Sequence, residues 1–179
     1  MDSRIQSMLR EKGMEDHSSK TRSGNILVTS ISRKIPMLQA IARAAGRMDP
    51  TMNVIGSDAD SRCLGRYFVS GFRQSPDWDH LEEDQLLSLC RTDSIFAVIP
   101  TRDGELSFWA KRKDFLEEHG IRVMVSPPAA VEACLDKSAF FHACRSAGLP
   151  VIPTFTKPEE ISAAWLVVKG RFGAGSRNV

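Results

Sequence analysis

Short apolar runs recur along the chain, each too brief for a helix, and the segments between them return an apolar residue every three or four positions. "NILVTS" starts at Asn25, "MNVIGS" at Met52, "YFVS" at Tyr67, "SIFAVIP" at Ser94 and "IRVMVS" at Ile121. Runs of this length, rich in β-branched side chains, read as strands. In "KIPMLQAIARAAGR" the residues Met37, Leu38, Ile41 and Ala45 share one helical stripe, with Gly46 near its end. "HLEEDQLLSLCRTD" repeats the pattern through Leu81, Gln85, Leu86 and Leu89, and "DGELSFWAKRKDFLEEHG" reads as a third helix stopped by Gly120. Strands alternating with helices at this spacing form parallel β-α-β units. The unbroken apolar character of "ILV" and "IFAVI" suits strands covered on both faces. Residues 25–126 are therefore expected to form one α/β, Rossmann-like domain with a doubly wound parallel sheet.

The flanks differ in texture. Residues 1–24 are charged, Ser-rich and poor in large apolar side chains, and are expected to be disordered, with a transient helix near Ile5–Leu9. After Val125 the pattern turns to helix on helix. Ser126 is placed to cap a helix with Pro127 at its first position, and Asp136 caps "KSAFFHACRSAG", which Gly148 and Pro150 end. A short helix at "PEEISAAW", a terminal strand at Leu166–Val168 and a glycine-rich loop follow.

Charge and cysteine content narrow the function classes. A net charge of +2 with no dense basic stripe does not suit nucleic acid. No run approaches the length of a membrane span, and the N-terminus lacks the apolar core of a signal peptide, so a cytoplasmic protein is expected. The four cysteines, Cys63, Cys90, Cys134 and Cys144, include no C-x-x-C pair and read as reduced, mostly buried thiols. No histidine stands at ligand spacing from them, so no zinc site is expected. No nucleophile–base arrangement can be read from residue order, and the catalytic residues stay unassigned. "SPDWDH" reads as a helix entry with Trp78 packed.

Two regions are candidates for chemistry. The first strand–helix turn, "TSISRKIP", has no glycine, which argues against a dinucleotide site of the G-x-G-x-x-G kind; a Walker loop is also absent. Asp58, Asp60, Asp103 and Glu105 follow the second and fourth strands, at the carboxyl edge where open α/β sheets bind ligands. Helix capping accounts for the aspartates equally well. Asp103 and Glu105 are kept as weak substrate candidates. At the end of the chain, "VKGRFGAGSR" combines Lys169 with glycines whose backbone N–H groups can face an anion, and with the hydroxyl of Ser176. Taken alone, this loop reads equally well as an exposed tail.

The order of the motifs adds to this. "DKSAFFHACRSAGLPVIPTF" followed by "LVVKGRFGAGSR" resembles the start of an ATP-grasp domain. "ILVTSISRKIPMLQAIARAAG", "VIGSDAD" and "IPTRDGEL" resemble the Rossmann-like domain preceding it in carbamoyl-phosphate-synthase-like members. The resemblance implies a Rossmann-like domain at 25–126 followed, over 127–179, by the incomplete first subdomain of an ATP-grasp fold. It implies ATP as cofactor, with Lys137 and Lys169 approaching its phosphates and Gly173, Gly175, Ser176 and Arg177 in the loop that closes over them. Gly170 replaces the family's usual proline and Asn178 its usual glycine; neither change removes a charge. The family's magnesium ligands lie further downstream, so Mg2+ is expected only in a complete enzyme and no metal ligand is assigned here. The implied activity is an ATP-dependent carboxylate–amine ligase, or a carbamoyl-phosphate-synthase-like enzyme, working through an acyl phosphate. Its substrates would be a small acid and an amine, and a second polypeptide would complete the site. An inactive fragment, or an α/β binding domain without nucleotide chemistry, is the alternative.

Overall fold

The computed structural model describes residues 24–162 and 164–173. The expected N-terminal extension falls outside them apart from Gly24, as do Gly175, Ser176 and Arg177.

Five strands form one sheet: β1 (Asn25–Val28), β2 (Val54–Asp58), β3 (Gly71–Gln74), β4 (Ile95–Ile99) and β5 (Arg122–Val123). Their order is β3-β2-β1-β4-β5 and every pairing is parallel. The expected doubly wound parallel sheet is thus observed. Side chains of a strand alternate between faces, and β1 shows the result. Ile26 and Val28 enter a core with Leu38 and Ala45 of helix α1 (Ile35–Met48). Leu27 enters the opposite core with Leu86, Leu87 and Cys90 of α2 (Glu83–Thr92) and with Phe108 and Trp109 of α3 (Asp103–Lys111). A strand with partners on both sides needs apolar residues at every position, which is why these strands read as continuous apolar runs. Trp78 is buried as expected, its ring 5.1 Å from Trp109, although its entry is a single 3-10 turn.

Several boundaries differ from the sequence reading. The third strand begins four residues later than "YFVS": Leu64–Phe68 is a 3-10 helix with Tyr67 exposed, and the strand is Gly71–Gln74. Gly71 pairs with Ile55, where an added Cβ would lie 2.9 Å from the Ile55 side chain. The helix expected over 103–120 breaks at Arg112 into α3 and α4 (Lys113–Glu118). Arg112 stacks on Phe108 at 4.0 Å and donates to Leu81 O at 3.2 Å, anchoring the break. In α2, Gln85 is not on the buried stripe: its side chain accepts the Glu82 N–H in a capping box. α1 continues through Gly46, whereas Gly120 and Gly148 do end helices, at φ +81° and +70°.

Beyond the sheet, α5 (Pro128–Leu135) starts one residue later than expected, with Pro127 rather than Ser126 at the cap. α6 (Lys137–Ser146) is capped by Asp136, which accepts the N–H groups of Ser138 and Ala139. The helix expected at "PEEISAAW" is only a 3-10 turn, Pro158–Glu160. The terminal strand expected at Leu166–Val168 is not formed, and Val168 is 72% exposed. Strand backbone needs a neighbouring strand to pair with, and among the described residues none lies beside this segment. Of the four free cysteines, Cys63 and Cys90 are buried while Cys134 is exposed. Burial pushes the Cys90 thiol up to about 11. No helix among the described residues is long and apolar enough to cross a membrane.

Candidate functional site

Winding reverses between β1 and β4: α1 leaves β1 toward one face of the sheet, and α3 leaves β4 toward the other. The two chains diverge there and open a crevice, the usual ligand position in such sheets. A cleft of about 580 Å³ occupies it, lined by Ser30, Ser32, Lys34, Asp58, Arg102 and Glu105 among others.

The cleft floor is the glycine-free turn after β1. Ser30 and Ser32 sit at φ 51° and 27°, in the left-handed region that glycine normally occupies. Two carboxylates hold the turn there. Ser30 Oγ donates to Glu105, and the Ser32 N–H donates to Asp58 Oδ2 at 2.7 Å. Asp58 Oδ1 also accepts the Asp60 N–H at 3.1 Å. Both of its oxygens thus accept from the chain's own backbone. Lys34 Nζ donates to the carbonyl of Thr101 and, at 2.6 Å, to its hydroxyl. Burial lowers the Lys34 pKa, partly opposed by Glu105 and Asp58.

The acidic candidates separate. Glu105 lines the cleft but is only 2% exposed. It accepts from Ser30 and from Trp109 Nε1 at 3.3 Å, and Arg102 Nε lies 3.8 Å away. It braces the turn. Asp103 is exposed on the first turn of α3, outside the cleft lining, and Asp60 turns away to the Arg62 N–H at 2.8 Å.

A second cluster forms 34 to 36 residues apart in sequence, at the start of α6. Lys137 Nζ donates to Gly173 O at 2.9 Å and Arg171 O at 3.4 Å, while the Lys137 N–H donates to Arg171 O at 3.1 Å. Arg171 forks onto Asp136, with Nη2 at 2.6 Å from Oδ2 and Nε at 2.9 Å from Oδ1. Hydrogen bonding from Arg171 holds the Asp136 carboxyl down at about 2, helped by the Ala139 and Ser138 N–H groups. Gly173 has φ +102°, a conformation that requires glycine. Lys169 is exposed, and with only Gly170 between them its Cα lies within about 7 Å of that of Arg171. Lys137 and Gly173 are therefore in contact, and the backbone of Lys169 passes close to that contact. The ion pair between Asp136 and Arg171 is not legible in the sequence, because 35 residues separate them; Asp136 was legible as the helix cap. Among the described residues no group of three or more His, Cys, Asp or Glu side chains gathers in one place.

A family model described as PylC-like, N-terminal domain, matches residues 26–124. Among solved structures, the chain is similar to N5-carboxyaminoimidazole synthetase from Staphylococcus aureus complexed with ADP. Identity is 19% and the TM-score 0.52, over 73% of this chain and 32% of that one. It is similar to pyruvate carboxylase from Rhizobium etli with acetyl coenzyme-A at 19% identity and TM-score 0.54, covering 86% of this chain and 15% of that one. The biotin carboxylase domain of Hydrogenobacter thermophilus 2-oxoglutarate carboxylase, complexed with MgADP, ADP and bicarbonate, aligns at 15% identity and TM-score 0.50, covering 72% and 28%. The chain thus spans about a third or less of the length of these proteins. At such identities the likeness is one of fold. No curated protein matches the sequence.

Proposed function

This chain belongs to the PylC-like N-terminal domain family, and from that membership we propose that it is the front portion of an ATP-grasp ligase contributing part of the site for ATP phosphates. The observation that carries the proposal is the meeting of Lys137 with the glycine-rich segment, through Gly173 O at 2.9 Å and Arg171 O. A lysine on the first turn of a helix lies against the positive end of its dipole. A bound polyphosphate favours that position, and Lys169 is near enough to join it.

In the reaction proposed, a carboxylate oxygen attacks the γ-phosphorus of ATP and ADP departs, leaving an acyl phosphate. The amine then forms a bond to the acyl carbon as the phosphate oxygen leaves and the amine loses a proton. Lys137 and Lys169 hold the phosphates and offset their charge. The cleft at the β1–β4 border, with Lys34 and Arg102 beside Asp58, suits one end of a small polar substrate. The acidic ligands that would hold magnesium, and the second lobe, come in this reading from further polypeptide, which a partner chain would supply. Bound ADP in two of the structural neighbours supports the assignment of nucleotide to this fold.

The test is isothermal titration of the chain with ATP and with ADP. Micromolar to millimolar binding is expected, weakened about tenfold or more in Lys137→Ala and in Lys169→Ala, since a charge-assisted contact is worth roughly 1.5–3 kcal/mol. Absence of binding, alone and with a completing partner, favours an α/β binding domain without nucleotide chemistry.

A further inference from the structure

We propose that Asp136 is a positioning residue whose carboxylate clasps Arg171 and thereby holds the glycine-rich segment over Lys137. This rests on the reading of Lys137 as a phosphate ligand.

The carboxylate does two things at once. Oδ1 accepts the N–H groups of Ser138 and Ala139, which is helix capping. Both oxygens also receive the Arg171 guanidinium, with Nε at 2.9 and 3.0 Å and Nη2 at 2.6 Å. Asp136 is 13% exposed at its side chain, so the fork meets a mostly covered acceptor. Fixing Arg171 turns its carbonyl back to the Lys137 N–H and ammonium, and two residues on, Gly173 supplies a second carbonyl to the same ammonium. Lysine has three N–H donors, so two such contacts leave one directed elsewhere. Phe172 between them lines a groove with Ala133, Leu135 and Ala139 at the α5–α6 junction. Carboxylate and ammonium thus hold one short segment at two points, while Phe172 stays 64% exposed.

Capping alone does not explain the choice of residue. Asparagine and serine cap a helix about as well as aspartate. Only a carboxylate receives a guanidinium fork through two charged oxygens. Asp136→Asn therefore keeps the cap and removes the clasp.

The first readout is trypsin cleavage of the folded full-length chain, followed by mass spectrometry. The bonds after Lys169 and after Arg171 are two residues apart, so the ratio of cuts reports whether Arg171 is held, independently of overall stability. Cleavage after Lys169 is expected to dominate in the native chain. In Asp136→Asn the share after Arg171 rises about fivefold, the most a partly exposed ion pair commonly gives, with the helical circular dichroism signal unchanged. Raising salt to about 1 M should move the native chain the same way without any substitution. An unchanged ratio in both experiments overturns the proposal.

The second readout is binding of inorganic tripolyphosphate. Removing a negative charge beside an anion site should strengthen binding if Asp136 acts only through its field. If it positions Lys137 and the segment, Asp136→Asn weakens binding about fivefold instead, and stronger binding overturns the positioning role. If the native chain binds no polyphosphate while the cleavage ratio shifts as expected, the clasp stands and the ligase reading fails.

Discussion

Two buried or half-buried carboxylates do the work that glycines would do elsewhere. Glu105 and Asp58 hold Ser30 and Ser32 in left-handed backbone, where each non-glycine residue costs on the order of 1–3 kcal/mol. Glu105→Ala would release the turn and leave the Ser30 hydroxyl and Trp109 N–H without partners. A loss of about 2–3 kcal/mol is expected in urea unfolding. Glu105→Gln, which still accepts from both, should lose less. Asp136 gives a prediction in pH. Arg171 holds its folded pKa at about 2, below the ordinary carboxylate value of about 3.9. Stabilisation of the docked segment is therefore fully present above pH about 4 and is lost as pH falls through about 2. An NMR titration of the Asp136 carboxyl should show its midpoint near the lower value, and a midpoint near 4 would show that Arg171 is not held in solution.

Among the elements, β2 leaves no space for a side chain at Gly56. A Cβ at Gly56 would lie 2.6 Å from Ile31 Cδ1 and 3.1 Å from both methyls of Val69. Ile31 is fully buried, so its terminal methyl can give way only by repacking the core around it. Gly56→Ala should therefore destabilise by about 1–3 kcal/mol, read as a lower thermal midpoint. The β1–α1 junction would move with it, because Ile31 lies in the turn that floors the cleft. The helical elements were legible to the extent that their signals are local. The stripe of Leu38, Ile41 and Ala45 marked α1, and Gly120 and Gly148 marked two helix ends. The division of α3 from α4 was not legible, since it depends on Arg112 reaching Leu81 across 31 residues.

At the scale of the whole molecule, the described residues form a sheet with a core on each face, whereas residues 164–173 lie largely in solvent. Trp165, Leu166, Val167 and Val168 are all exposed, Trp165 at 92%. Hydrogen exchange should find residues 166–168 near the rate of unstructured chain and 95–99 protected to the limit of global unfolding. Equal protection of the two would show that the segment pairs with another strand in solution. A surface of this kind also binds apolar dyes and favours association at high concentration, which light scattering would detect.

Alternation of short apolar runs with three-and-four stripes determined the α/β class and the parallel sheet, because those periods are properties of neighbouring residues. The missing glycines in "TSISRKIP" argued against a dinucleotide loop on equally local grounds, and the ordered Asp-Lys and glycine-rich motifs carried the resemblance to the start of an ATP-grasp domain. Tertiary structure alone decided that Glu105 supports the first turn across 75 residues, that the third strand waits for Gly71 to meet Ile55, and that Asp136 reaches Arg171 across 35. Each of these depends on groups made neighbours only by the path of the folded chain, and no local period or propensity carries that distance.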